Sequence, residues 1–219
     1  MPPNNSIITL MPVQKIARKI LIMIMLVCAA TLVTLACRQF SLIPDRPSPA
    51  WRAFGPENAK IQIYEYTDFA CPACRAAEGK VKDVLELYKG SVRVNFKHYP
   101  LAMIHPWSFH AAAYADCAGK QGKFLEYADL LFENQEAWAR AKDKPGQFAE
   151  YAKKLKLDVP ALEACTEEQV TIRQVQLDMA EGDLRGVNAT PTFIVNGKRA
   201  VGSGQFLDRV RHFDNLLKK

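Results

Sequence analysis

Residues 61–74 read IQIYEYTDFACPAC, and three structural signals meet within them. Ile61–Tyr66 alternates apolar and polar positions and is rich in β-formers, which predicts a strand. Thr67–Ala70 reads as a turn, with Asp68 as one of its turn residues. Pro72 then predicts a helix start, because its fixed φ and missing N–H are harmless in a first helical turn. That helix is expected to run to Lys89 and stop at Gly90. Ser91–His98 (SVRVNFKH) alternates again. A strand–helix–strand unit crosses over right-handed, so the two strands are expected to pair in parallel.

Beyond this unit, Pro106 to about Cys165 is helical in short pieces, broken at Gly119–Gly122, Pro145–Gly146 and Pro160. Glu167–Leu184 predicts a further helix. Thr192–Val195 and Lys198–Val201 predict a hairpin about Asn196-Gly197, the favoured pair for a type I′ turn. A last helix is expected over Gln205–Leu217.

Upstream, Ile20–Cys37 (ILIMIMLVCAATLVTLAC) holds no charge and follows Lys15, Arg18 and Lys19. At ~1.5 Å per residue it reaches ~27 Å, enough to span hydrocarbon. The basic flank predicts that the N-terminal end stays inside and the remainder is exported. A retained anchor, a cleaved signal peptide and a lipid signal ending at Cys37 all place the rest of the chain in one compartment. Residues 1–37 are therefore expected to be a signal-anchor or signal segment. Residues 38–56, with prolines at 44, 47, 49 and 56, are expected to be a semi-rigid linker. The folded domain is expected over 57–219, with helical matter at about 104–166.

Composition sets the outer bounds. With 49% apolar residues in 219, the chain has enough for a packed core. Three of its six net positive charges lie in the acid-free first 37 residues. No basic stripe with interleaved aromatics occurs, so no nucleic-acid partner is expected.

The chemistry centres on Cys71 and Cys74. Free N–H groups and the positive end of the dipole at a helix start stabilise a thiolate, so Cys71 is expected to be nucleophilic. Cys74, one turn on, is placed to close a disulfide or resolve a mixed one. A purely structural bridge across two residues encloses too little chain to stabilise much. A zinc site lacks partners, since no second CxxC or HxxxH occurs and His98, His105, His110 and His212 are scattered; no metal or other cofactor is expected. Pro191, ahead of the TFIV run, is either an ordinary strand-start proline or one in a cis bond to Thr190 that offers a backbone edge to substrate. Glu65 is either an outward polar residue of the alternation or a buried acid that exchanges a proton with Cys74.

The runs 65–74, 96–101 (FKHYPL), 121–124 (QGKF) and 189–197 (ATPTFIVNG) resemble the DsbA-like thioredoxin-fold family, in particular its membrane-tethered or secreted bacterial branch. The likeness extends in order from about Gly55 to the C-terminus. It implies an α/β thioredoxin fold with an inserted helical domain, a cis Pro191 beside Cys71, and substrate contact at Thr190 and Pro191. It places Glu65 at the buried-acid position that moves the resolving cysteine's proton. It implies a structural disulfide between Cys117 and Cys165, the alternative being two unpaired buried cysteines. Closing that loop stabilises by up to ~4 kcal/mol on the chain-entropy model.

The implied activity is thiol–disulfide exchange with exported proteins, as a disulfide donor reoxidised by a membrane redox partner. An extracytoplasmic reductase or isomerase is the alternative, and a non-catalytic metal- or peptide-binding module a third. The implied location is membrane-anchored through 20–37, with the catalytic domain in a periplasm or on the outer face of the membrane. One departure stands out: Ala73 occupies the position where the strongest oxidants carry histidine.

Overall fold

A computed structural model describes residues 12–39 and 46–218, so the linker positions 40–45 lie outside the described residues. The chain divides into two units, at Pro44 and Asp45. The first contains helix α1 (Pro12–Gln39). Within it, Lys15–Ala36 is long and apolar enough to cross a membrane.

The second unit is built on a five-stranded sheet of order β1-β3-β2-β4-β5. Strand β1 is Ala53–Phe54, β2 is Ile61–Thr67 and β3 is Val92–His98. Helix α2 (Pro72–Leu87) connects β2 to β3, and these strands pair in parallel, Ile61 opposite Val92 through Thr67 opposite His98. Strands β4 (Thr192–Val195) and β5 (Lys198–Val201) add antiparallel beyond β2. Their turn has φ of 45° at Asn196 and 77° at Gly197, the double positive φ that a type I′ turn requires.

Between β3 and β4 run α3 (Ser108–Lys120), α4 (Phe124–Glu133), α5 (Gln135–Trp138), α6 (Gln147–Lys154), α7 (Val159–Glu167) and α8 (Gln169–Leu184). After β5 come α9 (Gly202–Val210) and α10 (Phe213–Leu217), two helices where the sequence predicts one. This is a thioredoxin fold with an inserted helical domain. Cys117 of α3 and Cys165 of α7 are joined by a disulfide, with their Cα atoms 5.9 Å apart.

Period-two patterning assigns the two sheet faces. Ile61 and Ile63 pack with Ala77, Val81 and Val84 of α2 and Phe206 of α9. Tyr64 and Tyr66 pack on the other face with Tyr99, Val187 and Met179 of α8. Gly182 lets α8 come this close, since a β-carbon there would lie 2.7 Å from the Tyr99 ring. The inserted helices hold their own core around Tyr127, Leu131, Trp138 and Phe148, and Phe69 and Cys74 join it from the sheet side.

The expected linker ends earlier than residue 56. Ser48 is buried and donates its hydroxyl to the Phe96 carbonyl (2.7 Å), Ala50–Arg52 forms a 3-10 turn, and β1 pairs antiparallel with β3. Arg52 accounts for the correction. Its side chain is fully buried, with Nε 2.8 Å from Asp116 Oδ1 of α3 and Nη1 2.6 Å from Asp178 Oδ2 of α8. Arg46 also pairs with Asp178, and Lys97 Nζ lies 2.8 Å from Glu181 Oε2. Burial alone would raise the Asp116 carboxyl, but the charges of His98 and Arg52 outweigh it and hold the group well below the usual carboxylate range. Prolines exclude a helix here but allow an edge strand.

Removing one member of a buried ion pair strands the others, at a cost of about 3–5 kcal/mol. Arg52→Ala is therefore expected to destabilise the domain by that order in urea unfolding. A loss under about 1 kcal/mol would show that residues 46–54 are not integral to it.

Candidate active site

Strand β2 ends at the sheet's centre, and the turn after it carries the cysteine pair. Asp68 shapes that turn: its Oδ1 accepts the Ala70 N–H (2.8 Å) and its carbonyl the Cys71 N–H (3.1 Å). Cys71 is then the N-cap of α2, in extended conformation (φ −84°, ψ 121°), with Pro72 in the first helical position. The Cys71 carbonyl opens the helix by accepting from the N–H groups of Cys74 (3.0 Å) and Arg75 (3.2 Å).

Both thiols are free, and their surroundings are opposite. Cys71 is half-buried, whereas Cys74 has no exposed surface. A hydrogen bond from the Cys74 side chain is the largest influence on Cys71. Burial opposes it, and hydrogen bonds with Thr190 and the backbone N–H groups of Cys74 and Ala73 reinforce it, so the Cys71 thiol is pushed down to about 5. Burial drives the Cys74 thiol well above its ordinary range, and donating to Cys71 adds to that. The Asp68 N–H lies 3.4 Å from Cys74 Sγ. The pair thus presents one thiolate with partial access to solvent and one protected thiol, the arrangement that thiol–disulfide exchange requires.

The Thr190–Pro191 peptide is cis, and the Thr190 carbonyl lies 3.4 Å from Cys71 Sγ. Sequence positions 119 residues apart therefore meet at one sulfur. Glu65 lies opposite Phe96 of β3 and Phe193 of β4 and is 3% exposed, so the outward alternative is excluded. It stands on the face of β2 that α2 covers, in register with Ile61 and Ile63. Burial, with the Glu78 carboxylate adding, pushes its carboxyl up to about 8. Glu65 and Glu78 both line a cavity of about 40 Å³, wide enough for a water molecule.

A family described as thioredoxin matches residues 48–211. The chain belongs to the thioredoxin family. The family match begins inside the segment that Arg52 anchors and ends just past α9, so it covers the whole sheet and the inserted helices. Among solved structures, Wolbachia pipientis alpha-DsbA1 superposes with a TM-score of 0.67 at 19% identity, covering 80% of this chain and 94% of that one. Oxidised BdbD from Bacillus subtilis superposes with a TM-score of 0.66 at 22% identity, covering 79% and 97%. The fold is thus DsbA-like.

A curated relative, the Na(+)/H(+) antiporter NhaA 3 of Salinispora tropica, is 36% identical over 148 residues, 68% of this chain. The corresponding antiporter of Herminiimonas arsenicoxydans is 34% identical over 149. The chain spans only 22–23% of the length of these relatives.

Within this thioredoxin-family site, sequence reasoning missed three contributors. Asp68 is a buried hub and not only a turn residue. Its Oδ2 lies 2.9 Å from the Leu101 N–H and 2.7 Å from His105 Nδ1, which ties the loop after β3 to the turn that carries Cys71. Gln135 of α5 donates to the carbonyls of Phe69 (2.7 Å) and Cys71 (3.1 Å), clamping the inserted domain to the same turn. An aspartate three residues before the first cysteine is a visible signal, but its partner at 105 and the glutamine at 135 are not.

Cys71 should react with iodoacetamide at a rate that rises through about pH 5 and levels off above pH 6, with Cys74 unreactive in the folded protein. A midpoint near 8.5, the ordinary value, would contradict the thiolate assignment. A second outcome follows from Glu65. Between about pH 4.5 and 8 it stays protonated when folded but ionises when unfolded, so rising pH favours unfolding across that window. Glu65→Gln should flatten this slope and be more stable than the parent at pH 8 by a few kcal/mol, since each tenfold change in proton affinity is worth about 1.4 kcal/mol. Parallel stability curves would show that Glu65 is ionised in the fold.

Proposed function

We propose that this protein is a thiol–disulfide oxidoreductase that donates disulfides to exported proteins. The observation that carries this reading is the asymmetry of the pair: Cys71 partly open and pushed down to about 5, Cys74 sealed and pushed up. An oxidant draws its strength from a stabilised reduced form, chiefly the thiolate of its exposed cysteine.

In the forward reaction a client thiolate attacks Cys71 Sγ of the oxidised pair, and the Cys71–Cys74 bond breaks. Cys74 departs as a thiolate and takes up a proton, for which Glu65 is the proposed donor. A second client thiolate then attacks the client sulfur of the mixed disulfide and releases Cys71 as a thiolate. The client is oxidised by two electrons and the pair reduced by two. A membrane partner linked to a quinone would take those electrons and restore the disulfide. Thr190 and Pro191 are proposed to hold the client backbone beside Cys71. Cys117–Cys165, on α3 and α7 of the inserted helices, is proposed as a structural bridge outside the exchange. Helix α1, with Lys15–Ala36 apolar enough to span, is proposed to tether the domain to the outer face of the cytoplasmic membrane.

Trapping tests the roles. Cys74→Ser should accumulate mixed disulfides with exported proteins in cells, and Cys71→Ser should not; the reverse pattern would sink the assignment. Alkylation of the native protein in cells should find the pair oxidised. A reduced pair would replace the donor reading with that of a reductase or isomerase.

A further inference from the structure

We propose that a basic cavity beside Cys71 is a subsite for a client carboxylate, selecting peptides with an acidic residue next to the reacting cysteine. The inference rests on the exchange activity proposed above and adds a substrate class to it.

The cavity measures about 430 Å³, and both chain neighbours of Cys71, Ala70 and Pro72, line it. Arg75 of α2, His105 of the loop after β3, Glu136 of α5 and Arg140 form its charged and polar wall. Thr190 and Pro191 do not line it. A client held along the cis-proline edge can therefore place a flanking side chain in this cavity without giving up that contact. The volume suits one or two side chains.

The polar groups are not equally free. His105 Nδ1 is engaged by Asp68 at 2.7 Å, and the Gln135 amide nitrogen is spent on the turn carbonyls. Arg75 pairs with Glu136 at 2.9 Å, but their side chains are 42% and 89% exposed. Such exposed pairs contribute only ~0–1 kcal/mol, so an incoming carboxylate competes well for Arg75. Arg140 is exposed and has no carboxylate partner among the described residues. Two guanidinium groups against one carboxylate leave the wall net positive. Guanidinium forks match a carboxylate geometrically.

The chemistry gives this charge a purpose. An acidic residue beside a client cysteine raises that thiol's pKa and lowers the fraction of attacking thiolate. Arg75 and Arg140 would neutralise the acid and draw the anionic client toward the neutral Cys71–Cys74 disulfide.

The test uses the oxidised full-length protein and two fluorescent dithiol peptides that differ only in Glu or Gln beside the first cysteine. The ratio of their kcat/KM values should favour Glu about tenfold at low salt, equivalent to ~1.4 kcal/mol, and shrink at high salt. Arg140→Glu should abolish or invert the ratio, and Arg140→Lys should keep part of it. Partial misfolding scales both rates by one factor, so the ratio reports the selectivity of the folded variant alone. A ratio near one in the native protein, or one that survives both Arg140→Glu and Arg75→Glu, overturns the subsite. If neither peptide is oxidised, the donor reading fails, and fluorescence anisotropy of the same peptides decides the subsite alone. Tighter binding of the Glu peptide that Arg140→Glu removes supports it, and equal binding rejects it.

Discussion

A carboxylate buried at the end of a central strand needs donors, and Asp68 finds them on two sides of the site. Ala70 N–H fixes the turn, while Leu101 N–H and His105 fix the loop after β3. An unsatisfied buried charge would cost several kcal/mol, so these contacts are obligatory for the fold. Three features of the site depend on that constraint. The turn sets Cys71 at the helix cap, the Asp68 backbone N–H meets Cys74 Sγ, and His105 is held as a wall of the neighbouring cavity.

The same logic of satisfied burial explains where the domain begins. Asp116 lies in α3 of the insertion and Asp178 in α8, which packs on the sheet; both are buried, and Arg52 reaches both. A segment that reads by composition as a proline-rich spacer is therefore drawn into the protein by charges more than 60 residues away in sequence. Local composition carries no trace of such partners.

What was legible follows from how local each cause is. The parallel β2–β3 unit, the I′ hairpin and the helix start at Pro72 depend on neighbours in sequence, and they stand where the pattern puts them. Strand β1 is two residues long and has no period to read. Helices α9 and α10 share an apolar pattern that runs across the break between them. In the site, Cys71 and Cys74 announce themselves by spacing. Glu65 could be assigned to a face only once β2 was flanked on both sides, by β3 and β4, and covered by α2. Gln135 and His105 act through tertiary contacts alone, so no window of sequence reveals them.

Ala73 sharpens the question of how the thiolate is held. Histidine at that position would bring a donor or a positive charge to Cys71, and alanine brings neither. The stabilisation that remains comes from the Cys74 thiol, Thr190 and the first N–H groups of α2, working against partial burial. Most of it is therefore internal to the pair and the helix start. When Cys71 and Cys74 are joined, the Cys74 thiol is no longer a donor, so its largest contribution acts only on the reduced form. Stabilising the product of disulfide donation without stabilising the reactant is what makes donation favourable. The oxidising character proposed for this protein thus rests on the second cysteine as a buried proton-bearing partner. Glu65, pushed up to about 8 and still protonated near neutrality on the face of β2 that α2 covers, is the group proposed to supply that proton.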